Sequence, residues 1–204
     1  METGLQQLQK SSEMRYYCNT STINAEEQRD PNFVLQEWEY QMRREMQEII
    51  PGVFLGPYGV AGKSKREYLL SHGITHIVCV RQDIEANCIK PNFPDLFEYL
   101  ILEIADSPTQ NIIPFFDKAR DFINNCIQNK GKVLVHGNAG ISRSAALVVA
   151  YVMEYCNYSS TEALKLVQRK RFCIYPNEGF RRQLLEYEPI LRAKGSLAIS
   201  ECKC

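Results

Sequence analysis

VLVHGNAGISRSAALVVAY, residues 133–151, reads as a buried strand, a short loop and the opening of a buried helix. The strand is an apolar run ending at His136, and the helix starts at Arg143. Gly137, Asn138, Ala139, Gly140, Ile141 and Ser142 lie between them. A loop running from the C-terminal end of a strand into a helix N-terminus is where open α/β sheets bind ligands. Small residues let successive backbone N–H groups curl around an anion, and the dipole of the following helix adds to the attraction. Arg143 closes the loop with a guanidinium able to grip two phosphate oxygens at once. Ser144 follows with a hydroxyl suited to tying the loop by hydrogen bonding. Gly, Asn and Ser also make ordinary turns, so two glycines would not suffice. Strand, His136, spaced glycines, Arg143-Ser144 and buried helix together specify a phosphate cradle over residues 137–143. The nucleotide-binding loop G-x-x-x-x-G-K-[ST] does not describe it, because this loop contains no Gly-Lys pair. Gly137 brings no side chain that could react.

The chain around the loop alternates strands with helices. GVFL (around 52–55), ITHIVCV (74–80), FEYLILEIAD (97–106) and KVLVH (132–136) predict strands, and the second of these has the continuous apolar run of a strand covered on both faces. KSKREYLLS (63–71) predicts a helix closed by His72-Gly73. A second, amphipathic helix is expected over 111–131, with Ile112, Phe115, Phe116, Ala119, Phe122, Ile123 and Cys126 on one face. Ser159-Ser160-Thr161-Glu162 fits a capping box and opens a helix to about Lys170; Asn177 opens the last one. EWEYQMRREMQEI (37–49) is charged and helix-prone. The expectation is an α/β fold with a mostly parallel central sheet of about five strands flanked by helices. Residues 1–30, rich in Gln, Ser, Thr, Asn and Glu, predict a disordered or loosely packed segment, 31–193 a single domain, and 194–204 a tail.

Composition excludes some function classes. The 24 basic and 24 acidic residues cancel, which argues against nonspecific nucleic-acid or membrane-surface binding. No apolar run reaches the roughly 18 residues a membrane span needs, and the N-terminus lacks a signal-peptide core. Most of the eight cysteines are scattered without a CxxC pair, as in reduced cytosolic or nuclear proteins. Cys202-Lys203-Cys204 is compatible with a plain tail, a metal ligand pair or a lipid site without a CaaX box. No cofactor motif and no structural metal set is expected.

HGNAGISRS resembles the His-Cys-x-x-x-x-x-Arg-[Ser/Thr] signature of protein tyrosine and dual-specificity phosphatases. PGVFLGPY (51–58), HGITHIVCV (72–80), IADSPTQNI (104–112) and RKRFCIYPNEGF (169–180) are similar to the dual-specificity subgroup, in one consistent order over about residues 37–193. The form HGNAGISRSAA, with MRREMQEI and RFCIYPN, is similar to the catalytically inactive serine/threonine/tyrosine-interacting branch of that group. In the family a cysteine thiolate attacks phosphorus, an arginine stabilises the equatorial oxygens and an aspartate protonates the leaving oxygen. The resemblance carries these roles to Arg143 and Asp106, gives loop support to His136 and Ser144, and puts Gly137 in the nucleophile's place.

Loss of a nucleophile from a concerted site costs turnover a factor of about 10⁵–10⁶. Ser142 and Ser144 are near but are alcohols with no general base in evidence, and Cys173 lies in another segment. Binding responds differently. A thiolate under a phosphate dianion is repelled by about 1 kcal/mol in water and up to about 4 in a partly screened site. Glycine removes that repulsion and loosens the free loop by about 0.5–1 kcal/mol. The resemblance therefore implies a monomeric pseudophosphatase of the cytoplasm and nucleus that binds proteins phosphorylated on Ser, Thr or Tyr, with MAP kinases as a partner class. Two other readings stay open at this point. One is an interaction protein using another surface, with Arg169, Lys170, Arg171, Arg181 and Arg182 docking an acidic partner or forming a solvated helix face. The other is an enzyme with an unusual nucleophile.

Overall fold

The computed structural model describes residues 38–195. The fold described is that of the unit that begins at Glu39. The expected N-terminal segment and all but the first residues of the expected tail lie outside the described residues.

Five strands, β1 (Gln47–Ile50), β2 (Val53–Pro57), β3 (Ile74–Arg81), β4 (Glu98–Glu103) and β5 (Lys132–Gly137), form one mixed sheet in the order β1-β2-β5-β3-β4. Only β1 runs antiparallel to its neighbour. Among the described residues five α-helices flank the sheet: α1 (Arg66–Ser71), α2 (Ile113–Gln128), α3 (Arg143–Cys156), α4 (Ser160–Lys170) and α5 (Glu178–Ala193). This is the expected mostly parallel five-stranded sheet flanked by helices.

β5 is central, paired in parallel with β2 and β3, so its C-terminal end opens between two parallel neighbours. Its residues alternate between two cores. Leu134 stands level with Phe54 and Ile77, and all three join Leu69 of α1 and Phe97 in one buried cluster. Val135 stands level with Leu55 and Val78 and faces the opposite way, where α3 packs against β2 and β5. α3 is buried almost throughout, from Arg143 to Met153, which fixes where its N-terminus points. Burying each large apolar side chain there stabilises the fold by about 1.5–3 kcal/mol.

Local chemistry terminates the elements as expected. Ser159 caps α4, and its capping box with Glu162 is complete; Asn177 caps α5 by accepting from Phe180 N–H. Gly73, at φ +74°, follows α1 and His72. The helix expected over 37–49 is not formed. Tyr40–Arg44 is a short 3-10 turn, and Gln47–Ile50 is an edge strand. Burial of Met46, Ile49 and Ile50 overrides local helix propensity. Pro51-Gly52, with Gly52 at φ +79°, turns the chain tightly back into β2.

Candidate functional site

The loop after β5 is built by turning its carbonyls outward. Asn138 O accepts from Tyr58 N–H (3.0 Å), Ile141 O from Tyr175 N–H (2.8 Å) and Ser142 O from Ala146 N–H (2.8 Å). Ala139 O and Gly140 O accept from the Arg171 guanidinium at 3.1 and 3.0 Å. Every peptide bond described is trans, so the N–H that follows each carbonyl points the opposite way. The N–H groups of Ala139, Gly140, Ile141, Ser142 and Arg143 are thereby turned to the concave side. The first turn of α3 adds N–H groups with no intrahelical partner. Successive N–H groups turned to one side are the arrangement that an anion nest would need.

The two loop glycines differ in what fixes them. Gly140 has φ +66°, and a Cβ there would meet Gly56 O at 2.4 Å. Gly137 is buried at the end of β5 with no positive φ; a Cβ there would meet Ser144 Oγ at 3.4 Å and Val80 O at 3.5 Å, ordinary contacts. Glycine at 137 is therefore not demanded by the backbone.

Arg143 is 7 % exposed and heavily committed. Its Nη1 donates to Glu85 (2.5 Å) and to Ile104 O (3.2 Å), and its Nη2 donates to Glu85 (2.9 Å). Of five N–H donors, these bonds leave Nε–H and one hydrogen on Nη2, the side-on edge that suits two oxygens of one phosphate. The hydrogen bond from Arg143 holds the Glu85 carboxyl below its usual range, so Glu85 is ionised and locks the guanidinium plane. Sequence reasoning missed Glu85. It sits in a polar 3-10 turn after β3, and only the fold brings it to Arg143.

Asp106 lies in the loop after β4, beside the nest. Its Oδ1 accepts from Ser142 Oγ (2.7 Å) and Asn177 Nδ2 (2.9 Å), and its Oδ2 is 3.8 Å from Arg143 Nε. Its loop is seated on α5. Gly179 approaches so closely that a Cβ would fall 1.9 Å from Pro108 O, and Gln183 bonds both Ile112 N–H and Gln110 O. The expectation that no general base is in evidence for Ser142 is thus corrected to this extent: its hydroxyl donates to the Asp106 carboxylate. Cys79, level with His136 on the neighbouring strand, is fully buried, and burial pushes its thiol up to about 11.

His136 is completely buried, its ring beside Tyr58 and its Nδ1 3.3 Å from Gly137 O. Burial pushes its pKa down to about 4, so the imidazole is neutral. Ser144 differs from expectation. Its hydroxyl, 1 % exposed, has no hydrogen-bond partner among the described residues and does not tie the loop. The tie comes from Arg171, read from sequence as part of a basic helix face. Arg171 is fully buried and also bonds Arg43 O (3.0 Å), Glu45 O (2.8 Å) and the Gln47 side chain. Its role depends on carbonyls from distant segments, which no local pattern displays.

Residues 53–190 match the model of the dual specificity phosphatase catalytic domain. The chain belongs to the dual-specificity phosphatase family. Among curated relatives of this phosphatase family, the human serine/threonine/tyrosine-interacting protein is 62 % identical over 159 residues, 78 % of this chain and 71 % of that protein. A Dictyostelium discoideum MAP kinase phosphatase with leucine-rich repeats is 42 % identical over 154 residues, 75 % of this chain and 17 % of that protein. The crystal structure of the human tyrosine phosphatase-like serine/threonine/tyrosine-interacting protein superposes with a TM-score of 0.71 at 62 % identity, covering 72 % of this chain and 97 % of that one. The resemblance to the serine/threonine/tyrosine-interacting branch, read from the loop, is borne out. Among the described residues no helix is long and apolar enough to cross a membrane.

Proposed function

We propose that this chain is a pseudophosphatase that captures phosphorylated Ser, Thr or Tyr side chains in the loop 137–143 without cleaving them. One observation carries the reading. Gly137, the place the family signature gives to the nucleophile, has room for a side chain and no conformational need for glycine, while the loop's backbone N–H groups and the Arg143 edge that Glu85 does not bond, with Asp106 3.8 Å from its Nε, remain. The missing group is the attacking atom alone. Gly137, Asn138, Ala139, Gly140, Ile141, Ser142 and Arg143 hold the phosphate, His136 and Arg171 support the loop, and Asp106 is a remnant general acid.

The partners are phosphoproteins of the MAP-kinase class, a reading supported by the name of the Dictyostelium relative. Bound there, the protein shields a phosphosite, anchors its partner or competes with active phosphatases in the cytoplasm and nucleus. It acts as a monomer and needs no metal or cofactor. The test is capture of phosphoproteins from phosphatase-inhibited extract by wild type and by Arg143→Ala, both checked for folding. Partners lost on substitution and displaced by free phosphate support the pocket. Partners retained by Arg143→Ala would assign binding to another surface.

A further inference from the structure

The hydroxyl of Ser144 lies against the place where a side chain at Gly137 would stand, and it has no hydrogen-bond partner among the described residues. It is the nearest atom to the position a Cβ of Gly137 would take, at 3.4 Å, and the residue is 1 % exposed. Ser142, its neighbour, spends its hydroxyl on Asp106. A buried hydroxyl left unpaired is unfavourable, and a charged acceptor brought to it recovers that loss with a strong hydrogen bond. The second residue of α3 is also where the helix dipole and unpaired N–H groups already draw an anion.

We propose that Ser144 is a phosphate ligand in this chain: its Oγ–H donates to an oxygen of the bound phosphate monoester that enters the space left by the absent side chain at 137. The inference rests on the phosphate-holding reading and deepens it. Gly137 then does more than remove a nucleophile. It opens the floor of the nest, so that one more donor reaches the ligand, and the tetrahedral dianion of a phosphate monoester is the class of group that fills floor, nest and Arg143 edge together. A residue that merely tied the loop would have a protein partner, and Ser144 has none among the described residues.

The test uses the full chain, with inorganic phosphate and phenyl phosphate titrated calorimetrically and thermal unfolding measured without ligand. Ser144→Ala is expected to weaken phosphate binding about tenfold or more while raising the midpoint of unliganded unfolding by about 2–4 °C, because it deletes an unpaired buried hydroxyl. Ser144→Thr is expected to restore binding. Gly137→Ala, which puts a methyl over the hydroxyl, is expected to weaken binding comparably, and the double variant to be no weaker than either single one. Unchanged affinity in Ser144→Ala, or a lowered unfolding midpoint, overturns the proposal and leaves the phosphate-holding reading standing if Arg143→Ala still abolishes binding. A folded wild type that binds neither ligand overturns both.

Discussion

The two ends of the phosphate loop are built on opposite terms. At Gly140 the chain leaves no room for a side chain: the backbone is left-handed and presses on Gly56 O, and the buried Arg171 holds the outward carbonyls. At Gly137 there is room, ordinary backbone, and no side chain. Glycine at 140 is a requirement of shape, and glycine at 137 is not. On the proposed reading, the loop keeps the shape that would hold a phosphate and lacks only the atom that would cut it.

Substitutions that break the closed end should have the largest effects. Arg171→Met leaves the carbonyls of Arg43, Glu45, Ala139 and Gly140 without their donor and should destabilise the protein by about 3–5 kcal/mol in denaturant unfolding. A loss below about 1 kcal/mol would show that the loop is held some other way. Gly140→Ala forces a left-handed alanine into the Gly56 carbonyl and should cost about 2–5 kcal/mol, with loss of phosphate binding. At the open end Gly137→Ala should change stability by no more than about 1 kcal/mol, in the stabilising direction, because alanine fits there and restricts the unfolded chain. A large destabilisation would erase the contrast.

The floor of the loop also has a pH signature. His136 has its pKa lowered to about 4 by burial, against about 6.5 in an unfolded chain. Between those values the unfolded state binds a proton that the folded state refuses, so this contribution is complete above about pH 6.5 and is lost as pH falls toward 4, up to about 3 kcal/mol. Glu85, lowered by its hydrogen bond from Arg143, and Asp117, lowered by that from Lys194, add further loss as pH falls through and below the usual carboxylate range. Denaturant midpoints measured from pH 7 down to 4 should fall in wild type and fall less in a folded His136→Asn variant.

The same contrast separates what the sequence displays from what it hides. α4 and α5 are legible because Ser159, Glu162 and Asn177 announce their starts, and β3 and β5 because continuous apolar runs mark strands covered on both faces. Gly137, Arg143 and Asp106 follow from one motif and its order along the chain. β1 is hidden because its charged, helix-prone residues become a strand only by pairing with β2, and Pro51-Gly52 is the turn signal that could have disclosed it. Arg171 and Glu85 are hidden for a different reason. Each matters through partners far away in sequence, so nothing local distinguishes the buried Arg171 from the exposed basic residues beside it. The unpaired state of Ser144 is likewise a property of the fold, since its sequence neighbours suggest a loop tie.

The central claim is that only the attacking atom is missing, and the most direct measurement is aryl phosphate turnover by purified Gly137→Cys. The structure leaves space for that side chain against Ser144 and Val80, with the nest, the Arg143 edge and Asp106 in place. Turnover should appear where wild type has none, with a phosphocysteine intermediate, and should disappear on adding Arg143→Ala. A Gly137→Cys protein that folds like wild type, binds phosphate and yet turns over no substrate would contradict the account.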